Sequence, residues 1–227
     1  DDRNYKLALK YANSSDKQYF ESQAEIIEKI RCEWVEKASR EPAYDIFISY
    51  KENELEDVKK RTRDSYEAFE LYTELSKRYR VFFARESLKG ITGEKYEPYI
   101  FNALNTAKVM LVYGSKVEHV MATWVKNEWS RYYKRIQAKE KQANSLVVLY
   151  KDMNLSDLPN PLRSAQGINM NSVTAWKTID EYVTKILNQT RQPSNRLEKS
   201  VVQKVIGKKA ADFFSPISEK IIGAEST

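Results

Sequence analysis

Four short runs of this chain are dominated by apolar residues on both of their faces: Tyr44–Tyr50, Arg80–Ala84, Ala107–Gly114 and Ser145–Tyr150. A strand with one wet face alternates apolar and polar side chains, so runs like these need cover on both sides. Helical spacing fills the intervals. Ala68, Leu71 and Leu75 mark a helix within Thr62–Tyr79, Ile100 and Leu104 mark a second, and a third is expected to open at Thr123 with that residue as its N-cap. Gln166–Met170 is expected to form a fifth strand, and Trp176–Leu187 a closing helix. Strand and helix alternate about five times, the pattern of a doubly wound α/β fold with a parallel sheet between helical layers.

The flanks have a different character. Phe20, Ala24, Ile27, Ile30 and Trp34 sit at helical spacing, so residues 1–42 are expected to be a helical extension of a central domain over residues 43–190. Gln192–Asn195 has linker composition, and residues 191–227 are expected to be a linker and helical tail. No apolar run approaches the roughly 18 residues of a membrane span, and the start of the chain lacks the apolar core of a signal peptide. A soluble, cytoplasmic protein is the expectation. The chain starts at Asp1 with no initiating Met, as a fragment or a trimmed chain would.

Composition removes several chemistries. The one cysteine, Cys32, and the one histidine, His119, cannot make a disulfide framework or a Cys/His metal cluster. A Ser-His-Asp triad would need His119, which is expected in a surface loop, and no nucleophile-elbow sequence is present. The 38 basic against 32 acidic residues give a net charge of +6, but the basic residues are spread along the chain and form solvated faces, so nucleic acid is not an expected partner.

In an open α/β sheet, ligands bind outside the carboxyl ends of the strands. After the first strand comes Ser49-Tyr50-Lys51-Glu52-Asn53-Glu54, which has no glycine and therefore neither a dinucleotide fingerprint nor a P-loop. An acidic cluster of the receiver-domain kind is missing as well. Lys51 and Arg85, each following a strand, are candidates for holding a pyrophosphate from their side chains. The segment Glu86–Tyr96, with Gly90 and Gly93, is a long loop of the kind that makes lids and contact surfaces. Trp124 and Glu128 fall at i and i+4, so an indole and a carboxylate share one helical face near a strand's carboxyl end.

Taken in order, Tyr44–Lys51, Val81–Arg85, Ala107–Val112 and Trp124-Val125-Lys126-Asn127-Glu128 resemble the successive motifs of a Toll/interleukin-1 receptor (TIR) domain, closest to the bacterial kind. The resemblance covers roughly residues 43–188. It implies a flavodoxin-like five-stranded parallel sheet. It also implies cleavage of nicotinamide from NAD⁺, giving ADP-ribose or a cyclic isomer, with Glu128 as the catalytic glutamate and Trp124 as its aromatic partner. The implied NAD⁺ contacts are Trp124, Tyr50, Lys51, Arg85, Leu88 and Tyr96. Residues 85–96 correspond to the family's BB loop, through which homotypic self-association is implied, and the implied setting is bacterial immunity. NAD⁺ would be a substrate, with no cofactor or metal. In one departure, this chain has Lys51-Glu52 where some enzymatic members have two basic residues.

The chemistry is intelligible on its own terms. Expelling neutral nicotinamide leaves positive charge on the ribose, and a carboxylate beside the anomeric carbon stabilises it. The helix N-terminus is expected to keep Glu128 ionised. Glu94 and Glu97 are rival acids, Glu97 being the better fit to a helix start. An interaction-only module that recruits partners through residues 85–96 is the alternative, and a relative acting on another N-glycosidic bond is a third.

Overall fold

A computed structural model describes residues 32–33, 35–54, 57, 59–91 and 96–191. The expected helices of residues 1–31, the linker and tail beyond Arg191, and Gly93 and Glu94 lie outside these residues. Residues 32–33 and 35–39 are helical.

The five expected strands are all present, one to three residues shorter than their apolar runs: β1 (Ile46–Ser49), β2 (Val81–Phe83), β3 (Val109–Gly114), β4 (Leu146–Tyr150) and β5 (Gln166–Asn169). They pair in parallel in the order β2-β1-β3-β4-β5, a flavodoxin-like sheet. Ile46 pairs with Val81 on one side and Val109 on the other. The chain therefore reverses direction across the sheet at β1, and it is at such a reversal, outside the carboxyl ends of β1 and β3, that an open α/β sheet places its ligand crevice. At the far edge, β5 buries only Ile168, as suits a strand with one neighbour.

The pleat sorts side chains into two apolar layers. Ile46, Ile48 and Tyr50 face helices α1 (Arg63–Leu75) and α7 (Ala175–Arg191), packing with Ala68, Leu71, Ile179 and Val183. Phe47 faces the opposite layer with Met110 and Val112, against Ile100 and Leu104 of α3 (Tyr96–Thr106) and Val125, Trp129 and Tyr132 of α5 (Thr123–Gln137). Three shorter helices are also described: α2 (Ala84–Ser87), α4 (Val117–Val120) and α6 (Asn160–Arg163). The presence of α2 corrects the expectation of continuous loop from Glu86. The Leu88 amide donates to the Ala84 carbonyl (3.0 Å), and the Ser87 hydroxyl accepts from the Phe83 amide (3.1 Å), so the chain turns helical directly off β2.

The expected start of α1 holds. Thr62 is its N-cap, its hydroxyl accepting from the Ser65 amide (3.1 Å) and donating to the Lys51 carbonyl. The bond to Lys51 ties the helix to the loop after β1. His119, expected in a surface loop, is instead buried within α4, with Nδ1 2.8 Å from the Asp64 carboxylate. Asp64 also accepts from the Ser115 hydroxyl (2.5 Å) and amide (3.1 Å). A fully buried carboxylate needs such partners, and here they lock the start of α1 to the end of β3. Because Ser115 bonds Asp64 and not His119, the three residues do not form a nucleophilic relay. Among the described residues, no helix is long and apolar enough to cross a membrane.

Gly114 ends β3 where the backbone meets α4. A Cβ there would lie 2.3 Å from Cγ2 of Val120, a fully buried and rotationally stiff side chain. Gly114→Ala is expected to lower unfolding stability by about 1–3 kcal/mol, the usual cost of overpacking, read as a lower urea midpoint with unchanged slope.

Candidate active site

Ser49 is the last residue of β1. By strand alternation its side chain points to the same layer as Phe47, toward α5, and it is 1% exposed. Its hydroxyl donates to Oε2 of Glu128 over 2.5 Å. Glu128 thus sits over the carboxyl end of β1, beside the crevice. Part of its side chain meets solvent, while the carboxyl end turns inward to Ser49.

One turn earlier on α5, Trp124 is 63% exposed, so its ring is not a core group. Trp129 is the core tryptophan of this helix, buried, with its indole N–H donated to the Val120 carbonyl (3.1 Å). Thr123 is not the N-cap that the sequence suggests. Ala122 holds that position, and no side chain caps the helix.

The ionisation expected of Glu128 is also corrected. Burial pushes its pKa up to about 8, opposed only by the hydrogen bond from Ser49. The favourable field of a helix N-terminus fades within the first turn, and Glu128 lies beyond it. Desolvation therefore prevails. The neighbouring carboxylates behave differently. Burial also works against the charge of Glu67 on α1, but donors on Lys151 (2.7 Å), Tyr113 and Arg63 (2.8 Å) outweigh it and hold the pKa below the usual range. Glu97, one of the two rival acids, lies exposed in the first turn of α3.

The other candidate residues fall into separate environments. Tyr50 follows Ser49 and points to the opposite layer, its ring stacked on Phe83 with centroids 4.6 Å apart. Its hydroxyl is buried in no well-formed hydrogen bond, and burial, then the nearby Glu52 carboxylate, raises its pKa. Leu88 is buried in the layer that contains α5, while Tyr96 is exposed at the start of α3. Arg85 lies at the carboxyl edge as expected, but its guanidinium is 3.1 Å from Glu52 Oε1, which also pairs with Arg61 at 3.2 Å. The sequence departure at Glu52 is thus an internal counter-ion for two arginines. Lys51 is partly exposed beside it.

Ser49 and Arg61 are the residues that reasoning from sequence missed. Strand alternation carried the signal for Ser49, since it shares the parity of Phe47. Nothing local announced Arg61, which meets Glu52 through a fold in the chain.

Two cavities lie elsewhere. A groove of about 490 Å³ between α1 and α7 is floored by Leu75 and Ile179 beside Trp176, and one of about 100 Å³ lies among Glu67, Tyr113, Lys151 and Met170. Neither is lined by Glu128 or Trp124. Among the described residues, no three His, Cys, Asp or Glu side chains converge as a metal site would require.

No protein-family model and no curated protein matches the chain. Among solved structures, it is similar to a metazoan TIR-STING receptor from C. gigas, with a TM-score of 0.43 and 19% identity over 73% of this chain and 46% of that one. The chain thus spans less than half the length of that protein.

The raised pKa has a consequence for stability. Between the ordinary value of 4.5 and about 8, the unfolded chain carries Glu128 ionised while the folded protein holds its proton. The folded state binds the extra proton, so this group's contribution to stability falls as pH rises through that window. Glu128→Gln removes the penalty. At pH 8–9 the variant is expected to melt at least about 2–4 °C above the parent, the shift that about 1 kcal/mol makes in a domain of this size. The two melting temperatures should converge toward pH 4.5 in a calorimetric pH series.

Proposed function

We propose that this protein is a TIR-type NAD⁺ glycohydrolase or cyclase, with Glu128 as its catalytic carboxylate and Trp124 as the platform for the nicotinamide ring. One observation carries the reading. At the crevice beside the carboxyl end of β1, a carboxyl group with no cationic partner among the described residues stands one helical turn from an exposed indole. An acid held out of its usual pKa range at such an edge is the mark of a group arranged for chemistry.

The reaction breaks the bond between the anomeric carbon and the nicotinamide nitrogen. The electron pair leaves with nicotinamide, which becomes neutral, and the ribose carbon becomes an oxocarbenium ion. Ionised Glu128 stabilises that ion, and water or the adenine ring of the same molecule then attacks it. An indole face suits the cationic ring of the substrate before cleavage. NAD⁺ itself brings positive charge toward Glu128, which favours the carboxylate and lowers its pKa in the complex. Substrate binding is therefore accompanied by proton release. Lys51 and Arg85 are proposed for the diphosphate, with Arg85 drawn from Glu52 as the substrate anion replaces it. Tyr96 is proposed as a further contact, and residues 85–96 as the surface for self-association.

A scaffold reading is favoured by a different observation. Of the implied NAD⁺ contacts, Tyr50 and Leu88 are buried in opposite layers and Arg85 already has a counter-ion. A module that only recruits other chains has no need to free them.

Incubation with NAD⁺ at high protein concentration, followed by chromatography for free nicotinamide, separates the two. On the enzymatic reading nicotinamide appears, and Glu128→Ala lowers turnover at least about 100-fold, in line with loss of a principal electrostatic stabiliser. Undiminished turnover in that variant would overturn the assignment, and no nicotinamide from the parent protein would leave the scaffold. The pH dependence is a second check. Because kcat/KM reports the free enzyme, it should rise about tenfold per pH unit up to about 8 and then level. The rise in kcat should centre at lower pH.

A further inference from the structure

The sheet supplies Glu128 with a partner that the reaction scheme above does not use. Ser49 is pinned on both sides of the end of β1: its register partner on β3 is Val112, and the preceding residue, Ile48, pairs with Phe83 on β2. Its side chain is 1% exposed and has only staggered positions to choose from. A strand-borne hydroxyl in such a place is far more rigid than the long side chain it meets.

We propose that Ser49 is a positioning residue for Glu128, its hydroxyl holding one carboxylate oxygen so that the other is presented to the crevice and to a ribosyl cation. This rests on the reading of Glu128 as the catalytic carboxylate.

Three observations support it. The 2.5 Å contact lies at the short end of the range for a hydroxyl donating to a carboxylate. Ser49 donates to Oε2 alone, which leaves Oε1 outside that bond. Among the described residues, no cation shares the task. Titratable groups on the elements packed against α5 are Tyr96, Glu97 and Tyr99 on α3, Tyr113 on β3, Glu118 and His119 on α4, and Tyr150 on β4. None of them perturbs Glu128, whose environment is burial on one side and Ser49 on the other. Glu97 instead acts on Arg131, His119 is held by Asp64, and Tyr113 by Glu67.

A hydrogen bond donated to the charged form favours that form. Without the hydroxyl, Glu128 should hold its proton more tightly, and its orientation should loosen. A serine that merely filled space would do neither. Ser49→Ala removes a single oxygen from a small side chain, so the fold should tolerate it.

The test is a carbon-13 NMR titration of the Glu128 carboxyl in the parent, in Ser49→Ala and in Ser49→Thr, each without substrate, beside pH profiles of kcat/KM for NAD⁺. In Ser49→Ala the carboxyl titration should move up by at least about one pH unit, given the strength of a hydrogen bond to a charged group. At pH 7, kcat/KM should fall at least about tenfold, with the acid limb of the profile displaced by the same interval. Ser49→Thr, which keeps the hydroxyl, should return both readings toward the parent. An unmoved titration in Ser49→Ala overturns the inference, whatever happens to the rate. If the titration moves but the parent releases no nicotinamide, the NAD⁺ reading fails while the hold of Ser49 on Glu128 stands.

Discussion

Burial of β1 on both faces, between β2 and β3, is the constraint from which the other features follow. Ile46, Phe47 and Ile48 are at most 1% exposed, and burying each contributes roughly 1.5–3 kcal/mol. With both layers filled, a one-residue slip would exchange every side chain between them, so the register cannot drift. The alternation continues to the strand's end and decides what the crevice receives. Ser49 goes to the α5 layer and meets Glu128, and Tyr50 goes to the α1 layer and stacks on Phe83.

Carboxylates at this edge show how environment makes different groups from one functional unit. Asp64 is wholly enclosed, and its oxygens are taken by Ser115 and His119. Glu67 is partly buried but gathers a lysine, an arginine and a phenol, which suit its ionised form. Glu52 stands between two guanidinium groups. Each of these is matched by positive charge or by several donors, as structural carboxylates in low dielectric need to be. Among the described residues, Glu128 has burial and one hydroxyl. The imbalance makes it costly to the fold and sensitive to a cation arriving from outside, and the same trait connects the stability of the molecule to its proposed chemistry.

Much of the candidate site could be read along the chain because its key spacing is local. Trp124 and Glu128 share a face through helix periodicity alone, and their place after β3 follows from the run of strands. Other features depended on residues far apart in sequence. His119 lies in a stretch with no apolar pattern of its own, and its burial comes from Asp64, fifty-five positions away. Arg85 looks like a free cation until Glu52 is brought beside it. The charge state expected of Glu128 considered the nearby helix end, but not the cost of losing water.

By itself, the sequence determined the number of strands, their parallel arrangement and the position of the indole and carboxylate on one helix, since these follow from unbroken apolar runs interleaved with the 3.6-residue period of helices. Tertiary structure alone decided which carboxylates find cations, which faces of the sheet Tyr50 and Leu88 enter, and that Glu128 holds its proton to about pH 8. Those outcomes depend on desolvation and on charges that become neighbours only when the chain has folded.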